Sequence, residues 1–335
     1  MTGGVARARV PATSALRDIQ EPVAGRLDDV VVEMRRVVTH ELPLIEQVSG
    51  YLLQMRGKMF RPTLALLSSE TTGASQPRAV TLAAVLELMH LASLVHDDSV
   101  DHSALRRGLP TVNSLFSHQV SVIMGDFLYS RALEALVALG DLDLLRVLTS
   151  VSTQLTVGEM RQLAAVDALA FTESDYEALI HAKTATLLSA ACETGAMCGA
   201  IQHREALRQY GERLGMAFQV ADDILDYTST AAETGKPSGL DLREHKVTLP
   251  LIAALPRLSA SGRASVEALF EAESPSDEQI DEVIALTAEA GGIDAARQRG
   301  EQFAHQAEEA LDGLPDTPAR NALADAILYV MDRRS

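Results

Sequence analysis

The sequence predicts an all-α fold, and three observations predict it. Apolar residues recur at helical spacing almost without interruption. Ala and Leu occur throughout, while aromatics make up only 4% and Trp is absent, a bias that favours helix over strand. No stretch of alternating β-branched residues reads as a sheet.

Residues 1–15 read as a flexible lead. Helical periodicity then covers 16–40, 41–56, 60–72 and 77–103, with Gly57 breaking the second stretch from the third. Gly108-Leu109-Pro110 separates the fourth from 111–116 and 118–138, and Gly140-Asp141 precedes 141–168. Further helices follow at 173–198 and 203–230, then Gly235-Lys236-Pro237, then 246–256. After "PSDEQIDEVIALTAEAGG" two more are expected, at about 293–312 and 317–333. No low-complexity linker and no fixed-period repeat divides the chain, so residues 16–335 read as a single domain.

With 335 residues, 47% of them hydrophobic, a sizeable core is possible. The net charge of -17 argues against general nucleic-acid affinity, which needs a basic face. It also means that an anionic substrate would be held by a few local cations or through metal. Cys192 and Cys198 lie in an apolar, Ala-rich stretch and read as buried thiols in a reducing compartment rather than a disulfide or metal site. "MTGGVARARVPATS" lacks the apolar region of a secretory signal, and no uncharged apolar run reaches about 18 residues. A soluble, cytoplasmic protein without a transmembrane segment is expected.

One motif recurs. Asp-Asp-x-x-Asp stands at 97–101 and again at 222–226, each copy toward the end of a long apolar helix. At about 100° per residue, His90, Asp97 and Asp101 fall in a stripe roughly 40° wide. Gln219, Asp222, Asp223 and Asp226 fall in one roughly 100° wide. If the two helices face one another, the carboxylates converge across a cavity. Hard oxygen ligands four residues apart suit Mg²⁺, and no thiolates or paired histidines stand at zinc spacing. One such motif in an acidic chain reads first as a solvated helix end. Two copies on apolar helices, each followed by basic residues, favour metal. The cations are Arg106 and Arg107 after the first motif, Lys236 and Lys246 after the second, and Lys58 and Arg61 in "RGKMFRP". Carboxylates for Mg²⁺ ringed by Arg and Lys describe a pocket for diphosphates.

Together these segments resemble the trans-prenyltransferases, the isoprenyl diphosphate synthase (polyprenyl synthetase) family. "GKMFRP", "LVHDDSVDHSALRRGLPTVN", "GDFLYSRA", "VGEMRQL", "KTATL", "FQVADDILDY" and "GKPSGLDLREHKVTLPLI" stand in family order from about residue 20 to the C-terminus. The resemblance implies a helical bundle around a central cavity and a homodimer. It also implies head-to-tail condensation of isopentenyl diphosphate onto an allylic diphosphate. By position it makes Asp97, Asp101 and Asp222 direct Mg²⁺ ligands, with Asp98, Asp223 and Asp226 supporting or bound through water. Three ions are implied with substrates bound, and Mn²⁺ as a substitute. Arg106, Lys183, Lys236 and Lys246 would hold the allylic diphosphate, and Lys58, Arg61, His90 and Arg107 isopentenyl diphosphate. Thr184 and Gln219 would line the site of the carbocation. The departing diphosphate serves as a base, so no dedicated catalytic His is needed, and His96 reads as structural. Glu159 and Gln162 read as supporting residues. Three positions depart from the family's pattern: Arg56-Gly57 stands for a paired glycine, Met59 for a basic residue, and His245 for a glycine. They bear on loop geometry rather than on the reaction.

In such proteins the side chains four and five positions before the first motif help set product length. Here they are the small Ser93 and Ala92, so a growing chain should pass, with Phe127, Leu128, Arg131 and Leu136 as floor candidates. A long-chain polyprenyl diphosphate of the octaprenyl or heptaprenyl type is expected, with transient membrane contact for its release. A geranylgeranyl or farnesylgeranyl product is the alternative within the class. A class I terpene cyclase is disfavoured by Asp222-Asp223-x-x-Asp226, and a non-catalytic partner subunit by the intact aspartates and arginines.

Overall fold

Described in the computed structural model are residues 12–55, 57–164, 168–229 and 238–332. Helix α1 (Ala12–Gln20) passes through a 3₁₀ turn with Pro22 near its start into α2 (Ala24–Val38). The first helix thus begins inside the segment expected as a lead, and the helix expected over 16–40 is interrupted. Pro43 opens α3 (Pro43–Gln54), where its missing N–H costs nothing. Helix α4 (Phe60–Glu70) follows a left-handed Met59, and α5 (Arg78–Val100) carries the first aspartates.

A two-residue ribbon then pairs β1 (Leu105–Arg106) with β2 (Leu109–Pro110), antiparallel and in register Leu105 to Pro110. It corrects the expectation of no sheet. Arg107 and Gly108 between the strands both have positive φ, the backbone twist that a two-residue hairpin requires. The signal was "RRGLP", read in the sequence only as a helix break.

Next come α6 (Val112–Leu115), α7 (His118–Ala138) and α8 (Leu142–Ala164), with Ser117 accepting the Val120 N–H at the start of α7. Thr172 and Asp175 form a reciprocal cap at α9 (Glu173–Ile180). The helix expected over 173–198 is continuous but widens into a π turn, His181–Ala185, before α10 (Thr186–Met197). Helix α11 (Arg204–Thr228) carries the second motif and leads to α12 (Leu240–Arg243) and α13 (Leu249–Ala254). Sequence periodicity missed α14 (Ala260–Glu271) and left α15 (Asp277–Glu289) unassigned, though Ser276 and Gln279 form a reciprocal cap on the latter. Helices α16 (Gly292–Glu309) and α17 (Pro318–Met331) lie close to expectation.

Helix α10 is central: it packs on α4, α5, α8 and α11, while α5 also packs on α7 and α2, and α11 on α16 and α17. Glycines permit the closest of these approaches. A Cβ on Gly195 would strike the Ala65 carbonyl of α4, and one on Gly211 the Leu188 carbonyl of α10. Both cysteines are free and buried, as expected, and burial pushes their thiols up to about 12 for Cys192 and about 11 for Cys198. Among the described helices only α5 is long and apolar enough to cross a membrane, and 67% of its most apolar window is buried in the core.

Candidate active site

The end of α5 builds the first half of the site. Asp101 caps the helix, its N–H donating to the Asp97 carbonyl at 2.8 Å, and the hairpin then turns Arg106 back over the helix end. Arg106 Nε lies 2.9 and 2.8 Å from the two Asp98 oxygens, and Nη2 lies 2.7 Å from Oδ1. Asp98 is only 6% exposed, so it anchors an arginine rather than facing the open cleft. Asp97 looks the other way, toward α8 and the π turn. Burial, with Glu159 and Asp101 nearby, pushes its carboxyl up to about 6, against the pull of Lys183 and Arg106.

The π turn positions the next group. Lys183 Nζ sits 2.7 Å from Glu159 Oε1 and donates to Gln162 Oε1 at 2.7 Å, so both supporting residues named from sequence meet a predicted ligand of the diphosphate. Beside it the Thr184 hydroxyl donates to Gln219 Oε1 at 2.7 Å. Gln219 Nε2 donates to Asp223 Oδ1 at 2.8 Å, and the Tyr176 hydroxyl donates to Asp223 Oδ2 at 2.6 Å. Both oxygens of Asp223 therefore have protein partners. Burial and Asp241 push that carboxyl up to about 8, while the two donors hold it down.

Asp226 caps α12: its two oxygens accept the backbone N–H groups of Leu240 at 2.9 Å and Asp241 at 3.0 Å. Asp241, which sequence reasoning passed over, lies beside the second motif. Burial, then Asp226, pushes its carboxyl up to about 7. The signal was its place in "GLDLREHK", where it reads as one more loop acid. Lys246 pairs with Glu244 at 2.6 Å and feels both Asp101 and Asp241, so the two motifs share one cleft. Lys236 and Arg56 lie outside the described residues.

A second set of cations gathers around His90, about two turns before Asp97 on α5, in a cavity that Asp98 and Arg106 also line. His90 and Glu87 line a cavity with Arg107, Leu91, Leu52 and Met34. The Arg107 Nη1 donates to the Met55 carbonyl at 3.0 Å, and its guanidinium lies against Gly57, where a Cβ would stand 2.6 Å away. Burial and Arg61 hold the His90 imidazole well below its usual range, so it stays neutral. Glu87, another residue the sequence reading missed, is buried among Arg61 and Arg107, and its carboxyl is raised by burial against their pull. Lys58 Nζ stands 5.9 Å from the Tyr329 ring centroid, and Gln20 Nε2 donates to the Lys58 carbonyl at 2.9 Å.

Two of the departing positions have a local explanation. Met59 and His245 both take positive φ, and the His245 ring is held 2.9 Å from the Ala272 carbonyl and edge-on to Phe270. Among the chain-length positions, Ala92 is 1% exposed while Ser93 is half-buried and donates to the His90 carbonyl at 2.8 Å. Of the floor candidates, Leu128 and Leu136 are core. Phe127 meets His40 edge-on, and Arg131 donates to the Val37 carbonyl at 2.7 Å. His96, read as structural, sits 3.2 Å from the Val122 carbonyl and 3.3 Å from Asp126 on α7.

Among the described residues, no three His, Cys, Asp or Glu side chains stand close enough to form a metal centre by themselves. The donors nevertheless fit Mg²⁺. Three buried carboxyls are raised by confinement and mutual repulsion, all are hard oxygens, and bound phosphate oxygens and water would complete the coordination.

The family description "Polyprenyl synthetase" matches residues 42–287. A relative named all-trans-nonaprenyl-diphosphate synthase (geranyl-diphosphate specific), from Rhodobacter capsulatus, is 37% identical over 319 residues, covering 95% of this chain and 98% of its own. Octaprenyl diphosphate synthase of Escherichia coli (strain K12) is 36% identical over 310 residues, 92% of this chain and 96% of its own. The crystal structure of a decaprenyl diphosphate synthase from Rhodobacter capsulatus matches with a TM-score of 0.90 at 36% identity, covering 96% of this chain and 99% of that one. With an all-α bundle, two facing aspartate motifs and these relatives along nearly its whole length, the chain belongs to the polyprenyl synthetase family of prenyltransferases.

Proposed function

We propose that this prenyltransferase condenses isopentenyl diphosphate head-to-tail onto an allylic diphosphate and repeats the step to a long all-trans chain. The observation that carries the reading is the presence of two cation groups along α5, with Arg106 between them. One stands beside the aspartates and the other around His90.

Asp97, Asp101 and Asp222 would hold Mg²⁺, with Asp98, Asp223, Asp226 and Asp241 behind them; the bound cations would offset negative charge on the departing diphosphate. Arg106, Lys183, Lys246 and Lys236 hold the allylic diphosphate. Arg61, Arg107, Lys58 and neutral His90 hold isopentenyl diphosphate beside it. The allylic C–O bond breaks with its electron pair leaving on the diphosphate, and the carbonyl oxygen of Gln219 with Thr184 faces the cation that results. The isopentenyl double bond attacks that carbon, and the departed diphosphate takes the proton lost from the adduct. We place the protein in the cytoplasm as a homodimer that touches the membrane only to release its product.

The test is incubation of the pure protein with labelled isopentenyl diphosphate and a series of allylic primers, followed by chromatography of the dephosphorylated products. Chains of about six to ten units are expected, made only with Mg²⁺ or Mn²⁺ and abolished by EDTA. A geranylgeranyl or farnesylgeranyl product would move the chain to the shorter branch. A cyclised hydrocarbon would overturn the transferase chemistry.

A further inference from the structure

We propose that Tyr176 is a positioning residue for the allylic cation: by fixing Asp223 it sets which way the Gln219 amide faces. The proposal rests on the prenyl-transfer reading above and adds to it a residue outside both aspartate motifs.

Four side chains form a linear relay across three elements. Tyr176 on α9 donates to Asp223 Oδ2 at 2.6 Å, and Asp223 Oδ1 accepts from Gln219 Nε2 at 2.8 Å. Gln219 Oε1 accepts from the Thr184 hydroxyl on the π turn at 2.7 Å. Tyr176 is 2% exposed and Asp223 4% exposed, so water does not substitute for either partner.

An amide has a donor end and an acceptor end, and their order decides what the site offers a cation. With Nε2 turned to the Asp223 oxygen, Gln219 can present only Oε1 toward Thr184 and the reacting carbon. The reverse order would aim N–H dipoles at positive charge, the wrong sign for stabilising it. Asp223 can impose this order only while it is held itself. Its side chain turns about its own bonds, and the Tyr176 hydroxyl is the partner on the oxygen that Gln219 leaves open. Tyr176 in turn is fixed from below: its N–H donates to the Thr172 carbonyl at 2.9 Å, and Thr172 shares the reciprocal cap with Asp175. The π turn between Tyr176 and α10 widens the helix so that Thr184 meets Gln219 while Tyr176 reaches the same helix α11 four residues further on.

The test is a double-mutant cycle on kcat with Tyr176→Phe and Gln219→Leu, at saturating Mg²⁺ and both substrates. Tyr176→Phe is expected to lower kcat about tenfold with both KM values within about twofold of wild type. In the Gln219→Leu background it should cost almost nothing more, because the residue it acts through is already gone. Full additivity would mean that Tyr176 merely ties α9 to α11, and would overturn the proposal. So would a wild-type kcat for Tyr176→Phe at saturating Mg²⁺ with a loss only at lower Mg²⁺, which would place the effect at the metal. A crystal structure of the wild-type protein with a non-ionising allylic thiolodiphosphate tests the geometry even if Tyr176→Phe does not fold. Gln219 Oε1 is expected against C1 of the chain, and an amide turned away, or a Tyr176 hydroxyl not bonded to Asp223, would overturn the proposal. Wild-type turnover in the same assay tests the underlying reading separately.

Discussion

Asp97 and Asp98 are neighbours in sequence with opposite surroundings. Asp97 opens to Lys183 and Glu159, while Asp98 is buried and clasped by Arg106. Substitution should separate them. Asp97→Ala and Asp222→Ala are expected to lower kcat by roughly 10²–10³-fold with the fold intact, since each would remove a proposed Mg²⁺ ligand. Asp98→Ala should act through the released Arg106 and raise KM for the allylic substrate more than it lowers kcat; equal kcat losses in all three variants would contradict this division. The raised carboxyls also fix the sign of a pH effect on the metal-free protein. Asp97, Asp241 and Asp223 sit at about 6, 7 and 8 against an ordinary 3.8, so the folded state holds protons that the unfolded chain has released. The associated stability is present in full below pH of about 4 and is lost as pH rises to about 8. In EDTA the melting temperature should therefore fall between pH 5 and 8, and Mg²⁺ with inorganic diphosphate should flatten that slope. A metal-free melting temperature that rises across this range would contradict the assignment.

At the scale of elements, α5 carries both the first aspartate motif and the proposed chain-length positions. Ser121 Oγ donates to the Val95 carbonyl at 3.3 Å, and Ser99 bonds His118 at 2.8 Å, so residues 92, 95 and 99 share the face packed on α7. Ala92, 1% exposed, belongs to that seam, whereas Ser93 lies on the Asp97 stripe one turn earlier. Ser93→Phe should shorten the product to farnesyl or geranylgeranyl size at nearly unchanged melting temperature. Ala92→Phe should instead lower the melting temperature, because an overfilled seam costs about 1–3 kcal/mol. Product chromatography beside a thermal melt checks both, and an unchanged long product from Ser93→Phe would place the tunnel on another face. The aspartate stripes of α5 and α11 were legible because a helix writes its faces into sequence at a fixed period. The hairpin that returns Arg106 to Asp98 was not, because two residues of positive φ leave no periodic trace. The π turn at Lys183 was hidden for a similar reason: one extra residue in a turn changes which side chains face the cleft without changing composition. Glu87, Tyr176 and Asp241 escaped notice because their significance lies in partners on other elements, Arg61, Asp223 and Asp226 among them.

For the whole molecule, the two cation groups along α5 make a kinetic prediction of their own. Arg106→Ala should raise KM for the allylic diphosphate and Lys58→Ala that for isopentenyl diphosphate, each titrated at saturation of the other; identical effects on both would merge the two sites. The outer surface carries a further expectation. On α7, Val122, Ile123 and Val137 are exposed, Ile123 by 65%, and Leu115 just before them is exposed as well. Val122, Ile123 and Val137 fall within about 100° of one another around α7, so the three form one side of that helix. Single exposed apolar residues are ordinary, but a line of them on one helix marks a surface that another protein covers. Its occupant is expected to be a second copy of this chain, related by a two-fold axis that sets α7 against its own counterpart, so that each apolar residue meets apolar surface twice. Sedimentation should give twice the 35.9 kDa chain mass. Ile123→Glu should shift that mass to one chain, because the two-fold axis would bury a carboxylate on both sides of the same interface. A dimer that persists in Ile123→Glu would place the contact on another helix, and a wild-type monomer would leave the stripe on α7 without this partner.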